Sequence, residues 1–327
     1  MGKRRVQRAV RATAAALTLC WCASAAAMWT GANVKTSPAV PWGSDAAMQS
    51  LQQLADAGAE QALLVAFAWQ PDVSSNAPAL GSDSDPERVR AGLRQMRQAG
   101  LSPILKVHVW IPNHWAGDAK PTDIDQWFTA YQAALIPLLD IAEQEHASAV
   151  VLGTELRQLE HSAHWPALAT LARQHYSGKL VYVTDSLAQA EAFPWWSSFD
   201  IIGTSLYPSL PEDRQQRQTT MDNAAQRLAA LGQRQQRPVW AAEIGLRSCT
   251  TSLAKPWESP EQCSGHVAEH LQFDVLRQWQ HTLAAHGIDG MAIWCWYTDP
   301  SVGGEQDSDF TVQGKDAERL FKAVSPR

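Results

Sequence analysis

Basic charge is what this 327-residue sequence most plainly lacks. Its 27 Lys and Arg face 33 Asp and Glu, giving a net charge of −6 and a pI near 5.9. That removes the electrostatic footprint of a nucleic-acid-binding protein. Beyond residue 27 no apolar run is long enough to span a bilayer, so no transmembrane helix is expected there. Cysteine is scarce, with 5 in the chain, and no Cys/His cluster has zinc-site spacing. No glycine-rich phosphate loop follows the first strand-like segment, which counts against a doubly wound open sheet. Neither a metal nor an organic cofactor is expected.

Tryptophan is in excess, with 15 residues beside 5 Tyr and 7 Phe. So many large rings imply either a big core or a cleft lined with flat surfaces. Hydrophobic residues make up 45% and charged residues 18%, so a substantial core can form and disorder is not the default. The length suits one large domain.

The N-terminus reads as an export segment over residues 1–27. Lys3, Arg4, Arg5, Arg8 and Arg11 precede an apolar stretch from Ala12 to Cys22, and Ala23–Ala27 supplies small residues for cleavage. The expected destination is the periplasm or the exterior. An uncleaved signal anchor is the alternative. Lipidation at Cys20 is disfavoured by the bulky Leu19 before it. Of the three remaining cysteines, Cys249 and Cys263 flank one loop and are the candidate disulfide in an oxidising compartment, and Cys295 is left over. All three being free is the alternative.

From residue 28 to 327 one unit recurs. An amphipathic stretch ends at glycine, an apolar strand follows, and polar or aromatic residues close the strand. The copies run Leu51–Gly58 into Ala62–Trp69, Val89–Gly100 into Pro103–Trp110, Ala224–Gly232 into Pro238–Glu243, and Leu276–Gly287 into Gly290–Trp296. Glycine just past a helix end tolerates the left-handed backbone that ends helices. Near-continuous apolar strands imply a sheet covered on both faces. Ala149–Glu155, Lys179–Asp185, Phe199–Tyr207 and a weaker first strand near Trp29–Val34 bring the count to eight. Helical stretches are expected near Asp123–Glu145, Trp165–His175 and Asp222–Arg234, and Pro71–Pro86 reads as one long connection. Eight alternating βα units predict an α/β fold, a single-domain (β/α)8 TIM barrel.

Barrel enzymes carry their chemistry at the C-terminal ends of strands. Here those ends hold Trp69, His108 with Trp110, Glu155, Asp185, Tyr207, Glu243, and Trp294 with Trp296, with Asp299 just beyond. Alternation along a strand groups Val151, Gly153 and Glu155 on one face, Val239, Ala241 and Glu243 on another, and Gly203, Ser205 and Tyr207 on a third. One Glu at a strand end is usually an ion-pair or capping residue. Two on nearly opposite strands, among Trp and Tyr, suit glycoside hydrolysis. Singly, His108 and Tyr207 could equally belong to the core, Trp69, Trp110, Trp294 and Trp296 would more often be core, and Asp185 and Asp299 could cap helices or hold loops.

Gly153-Thr154-Glu155-Leu156, Ala242-Glu243-Ile244-Gly245-Leu246-Arg247-Ser248 and Ile293-Trp294-Cys295-Trp296 resemble glycoside hydrolase family 113, over about Trp29 to Trp296. The resemblance implies a clan A retaining barrel acting mainly as an endo-β-1,4-mannanase. It implies Glu155 as acid/base, Glu243 as nucleophile and Tyr207 beside the nucleophile. It further implies that His108 and the strand-eight Trp residues bind the sugar next to the scissile bond. Trp69, Trp110 and Thr154 complete the substrate-binding candidates. Many clan members have Asn before the acid/base, where this chain has Thr154 with a shorter reach. The expected partner is a polysaccharide or oligosaccharide, and the expected state is a monomer. A non-catalytic sugar-binding barrel and a glycosidase for a bacterial exopolysaccharide are the alternatives.

Overall fold

The computed structural model describes residues 27–322. The proposed export segment therefore lies outside the described residues, apart from Ala27. Eight parallel strands close on themselves: β1 (Trp29–Lys35), β2 (Gln61–Trp69), β3 (Ser102–Trp110), β4 (Ala149–Thr154), β5 (Lys179–Thr184), β6 (Ile201–Ser205), β7 (Val239–Ile244) and β8 (Gly290–Tyr297). Each pairs with the next, and β1 pairs with both β2 and β8, so no edge remains. The Pro71–Pro86 connection holds a two-residue strand, Ala79–Leu80, antiparallel to the end of β2.

Helices α1 (Asp45–Asp56), α2 (Pro86–Gln98), α3 (Ile124–Gln144), α4 (His164–His175), α5 (Leu187–Ala192), α6 (Arg214–Gln235) and α7 (Glu269–Ala285) form the outer layer. A 3-10 segment, Asp316–Phe321, packs on α7 where an eighth helix would stand. Ser44, Asp85, Asp123, Ser186 and Asp213 cap their helices by accepting backbone N–H bonds. Gly58, Gly100 and Gly287 take positive φ after α1, α2 and α7, as their place in the recurring unit requires. Gly232 does not end a helix. It lies inside α6, which begins at Arg214 rather than near residue 222 and ends at left-handed Gln236. A Cβ at position 232 would lie 2.4 Å from Val239, so glycine here lets α6 approach β7 closely.

Two apolar layers result. Leu63, Ile104, Val151, Val181, Val183, Ile201 and Ala242 fill the barrel interior, with Trp240 and Trp29 packed edge to face at 5.1 Å. The outward residues meet the helices in a larger core that absorbs Trp127, Trp165, Trp196, Trp279 and Trp296 whole. Tryptophan therefore serves both the core and the cleft. Among the described residues no helix is long and apolar enough to cross a membrane. Cys249 and Cys263 are joined, closing the loop after β7, and Cys295 is free and buried.

Candidate active site

Three of the strand ends depart from strict alternation, and the departures build the site. On β4 a register shift falls between Val151 and Gly153. Val151 faces the interior, but a Cβ on Gly153 would point at Trp165 and Tyr182 on the helix side. The expected shared face of Val151, Gly153 and Glu155 is therefore incorrect. Glu155 reaches the mouth instead through a left-handed backbone, φ 56°. On β7, Val239 and Ala241 belong to the outer layer while Trp240 and Ala242 face inward, and a second register shift, against β8, spans Ala241 to Ile244. Glu243 thus enters the site from the opposite parity to the one expected.

The third departure is on β8, where pairing with β1 slips between Trp294 and Trp296. Trp294 faces the mouth. Trp296 does not: it is fully buried in the outer layer, donates its indole N–H to Ser50 of α1 at 2.8 Å and packs on Phe321. Its expected role in sugar binding is withdrawn, because the irregularity turns it away from the cleft. Only the β6 set stands as expected. Ile201 lies inside, a Cβ on Gly203 would meet inward-facing Val181 and Val183, and Tyr207 arrives at the nucleophile candidate.

Glu243 is surrounded by donors. Lys106 Nζ donates to its Oε2 at 2.5 Å, and the Tyr207 hydroxyl donates to its Oε1 at 3.1 Å. Burial alone would raise this carboxyl, but the charge of Lys106 and the bonds from Lys106 and Tyr207 outweigh burial and hold it below the ordinary carboxylate value. Lys106 is itself fully buried. It also donates to Asn33 Oδ1 at 2.9 Å, and its ammonium lies 5.4 Å from the Trp294 ring centroid. Asn33 in turn is anchored by its amide to the carbonyl oxygens of Ala242 and Ala292.

Glu155 is the opposite case. Burial first, then the charge of Glu243, push it up to about 7, against the pull of the Ser205 hydroxyl and the Trp115 N–H. The Trp115 bond to Oε2 measures 2.7 Å. The result is a carboxyl that keeps its proton near neutrality beside one that has lost it. His108 is driven down to about 4, chiefly by burial, so its imidazole is neutral in the working range. Its Nδ1 lies 3.0 Å from the Val109 carbonyl oxygen, an arrangement that leaves Nε2 able to accept.

Around this centre an aromatic series leads outward. His108 lies 6.5 Å from Trp294 and 6.0 Å from Phe67, and Phe67 meets Trp110 at 5.5 Å and Trp69 at 6.4 Å. Trp69 and Trp110 are 40% and 44% exposed, which suits surfaces for a ligand rather than core. Trp69 is fixed nonetheless: its indole N–H donates to Asp83, and its ring covers Gly81. Thr154 is fully buried and its hydroxyl donates to the Val107 carbonyl oxygen at 3.1 Å, so the contact with the sugar expected of it is not offered: its one proton is held by the backbone. Asp185 pairs with Arg157, and Asp299 accepts from Ser301.

Sequence reasoning missed Lys106, Asn33 and Trp115. Lys106 carried a signal: a charged residue inside an apolar strand, two positions before His108 and so on its face. Asn33 interrupts β1 in the same way. Trp115, in a loop, carried none.

The fold matches known proteins. A complexed family 113 β-1,4-mannanase superposes with a TM-score of 0.80 at 23% identity, covering 90% of this chain and 97% of that one. The family 113 β-mannanase AaManA from Alicyclobacillus acidocaldarius superposes with a TM-score of 0.77 at 19% identity, over 89% and 95% of the two chains. A fungal β-1,4-galactanase shares the fold more distantly, with a TM-score of 0.60 at 15% identity over 91% and 100%. No curated protein matches the sequence. The model of Glycoside Hydrolase Family 113 matches residues 34–315, which contain both carboxylates, Lys106, Trp115 and Tyr207, and the chain belongs to that family.

Proposed function

We propose that this glycoside hydrolase cleaves β-1,4-mannan by double displacement, with Glu243 as nucleophile and Glu155 as acid/base. The observation that carries the reading is the divergence of two carboxyls in one buried site, Glu155 up to about 7 and Glu243 held ionised by Lys106 and Tyr207. In the first step a Glu243 oxygen forms a bond to the anomeric carbon. The glycosidic C–O bond breaks, and its oxygen leaves with the proton of Glu155. In the second step Glu155, now a carboxylate, takes a proton from water, whose oxygen displaces Glu243.

Lys106 and Tyr207 bear on both steps. They keep Glu243 ionised for attack, and they stabilise it again as the leaving carboxylate. Trp294 offers a flat apolar surface for the reacting sugar, with neutral His108 at its edge, and Trp69 and Trp110 offer surfaces for sugars further along the chain. Retention requires carboxyl groups about 5–5.5 Å apart. The β-mannanases among the structural relatives and the family's characterised activity support mannan as substrate. The basic, apolar N-terminus and the Cys249–Cys263 bond support export to an oxidising compartment.

The test is incubation with β-mannan, β-glucan and β-galactan, with products separated and the first-formed anomer read by proton NMR. Mannan oligosaccharides released as the β-anomer are expected. Release of the α-anomer, or turnover of glucan or galactan in preference to mannan, would contradict the reading.

A further inference from the structure

The loop after β3 brings Trp115 to the acid/base at the end of the neighbouring strand β4. Its indole N–H donates to Glu155 Oε2 at 2.7 Å. Three features fix the ring there. The Arg157 guanidinium stacks 4.8 Å from the ring centroid, and Arg157 is itself paired with Asp185. The ring overlies Gly117, where a Cβ would come within 2.3 Å of it. The Trp115 carbonyl oxygen accepts from the Asp118 N–H at 3.0 Å, closing the short 3-10 turn Ala116–Asp118. A ring seated over glycine, stacked by a cation and bonded through its only polar atom is held for that bond.

We propose that Trp115 is a positioning residue for the acid/base: by occupying Glu155 Oε2, its N–H leaves Oε1 to carry the proton delivered to the departing sugar oxygen. This rests on the assignment of Glu155 as acid/base. In a carboxylic acid the carbonyl oxygen is the better acceptor, so an N–H fixed on Oε2 biases the proton to Oε1. After proton transfer the same N–H bonds the carboxylate more strongly, because charge-assisted bonds are the stronger ones. Trp115 therefore also eases the release of the proton. Other groups act on Glu155 from each side: Glu243 of β7, Lys106 of β3, Ser205 of β6, Tyr207 after β6, and Glu160 with the Arg157–Asp185 pair behind it. Of these, Arg157 touches the indole ring itself, so the variant that isolates the N–H must keep a ring for it to stack on.

The test compares wild type with Trp115→Phe, which keeps a ring and loses the donor. Values of kcat/KM are measured against pH for two glycosides of the sugar that wild type releases, one with a poor leaving group and one with a dinitrophenolate that needs no proton. With the poor leaving group kcat/KM is expected to fall roughly tenfold or more, a fraction of what general acid catalysis supplies, and with dinitrophenolate by less than about threefold. The basic limb is expected to move to higher pH, since the carboxylate has lost a donor. Gly117→Ala, which forces the intact ring off its seat, should show the same dependence on leaving group, and it carries the test if Trp115→Phe does not melt cooperatively. Equal losses for both leaving groups with an unmoved basic limb would overturn the role of Trp115 alone. A wild type inactive on every glycoside would overturn the acid/base assignment and this proposal with it.

Discussion

Glu155 is a weak acid because of where the chain turns. Its left-handed backbone points the carboxyl into a buried mouth already occupied by a carboxylate, and the Trp115 N–H and the charge of Lys106 offset only part of the cost. Below pH 4.5 the group is protonated whether the chain is folded or not. Between 4.5 and about 7 the folded state holds the proton more tightly, so stability falls as pH rises through that window. Glu155→Gln removes this penalty. In denaturant titrations it should be more stable than wild type by on the order of 2 kcal/mol at pH 8, with the gain disappearing near pH 4.

Lys106 sets the other limb. Lys106→Met keeps the length and removes the cation, so Glu243 should ionise at higher pH and the acid limb of kcat/KM should shift upward. The rate should drop by roughly 10²–10³, the scale on which a buried donor to a reacting oxygen acts. An unmoved acid limb would mean that Lys106 does not hold Glu243.

At the scale of elements, the strands are legible in the sequence, but the facing of the side chains at their ends is not. Period-two alternation assigned Glu155 and Glu243 to the right end of the barrel and to the wrong company. A bulge inserts one residue without changing the apolar character of the run, so Ala149–Thr154 and Val239–Ile244 read alike with or without it. The same blindness put Trp296 in the cleft, whereas the slip on β8 seats it against Ser50 and Phe321. Gly153 marks the bulge physically. A Cβ there would lie 2.6 Å from Trp165 and 2.8 Å from Tyr182. Gly153→Val should cost about 1–3 kcal/mol by overpacking and move Glu155, so both the melting temperature and kcat should fall. A variant as stable and active as wild type would show that the bulge tolerates a side chain.

The whole molecule was legible because a closed barrel repeats itself. Helix, glycine, apolar strand and polar end recur often enough to survive the errors at α6 and at the missing eighth helix. The donors around the carboxylates were less legible, since Lys106 and Asn33 are single polar residues in apolar strands and Trp115 is a loop residue. Their meaning comes only when strands distant in sequence meet. The identity of the polymer depends on loop shapes that no periodicity records.

The central claim is that Glu243 bonds to the sugar. It is tested most directly by trapping. An activated 2-deoxy-2-fluoro glycoside of the sugar the enzyme releases is allowed to inactivate it, and the protein is digested and mapped by mass spectrometry. One glycosyl group on Glu243 is expected, with no label in Glu243→Gln. A label on any other residue, or none despite turnover of the parent glycoside, would contradict the mechanism.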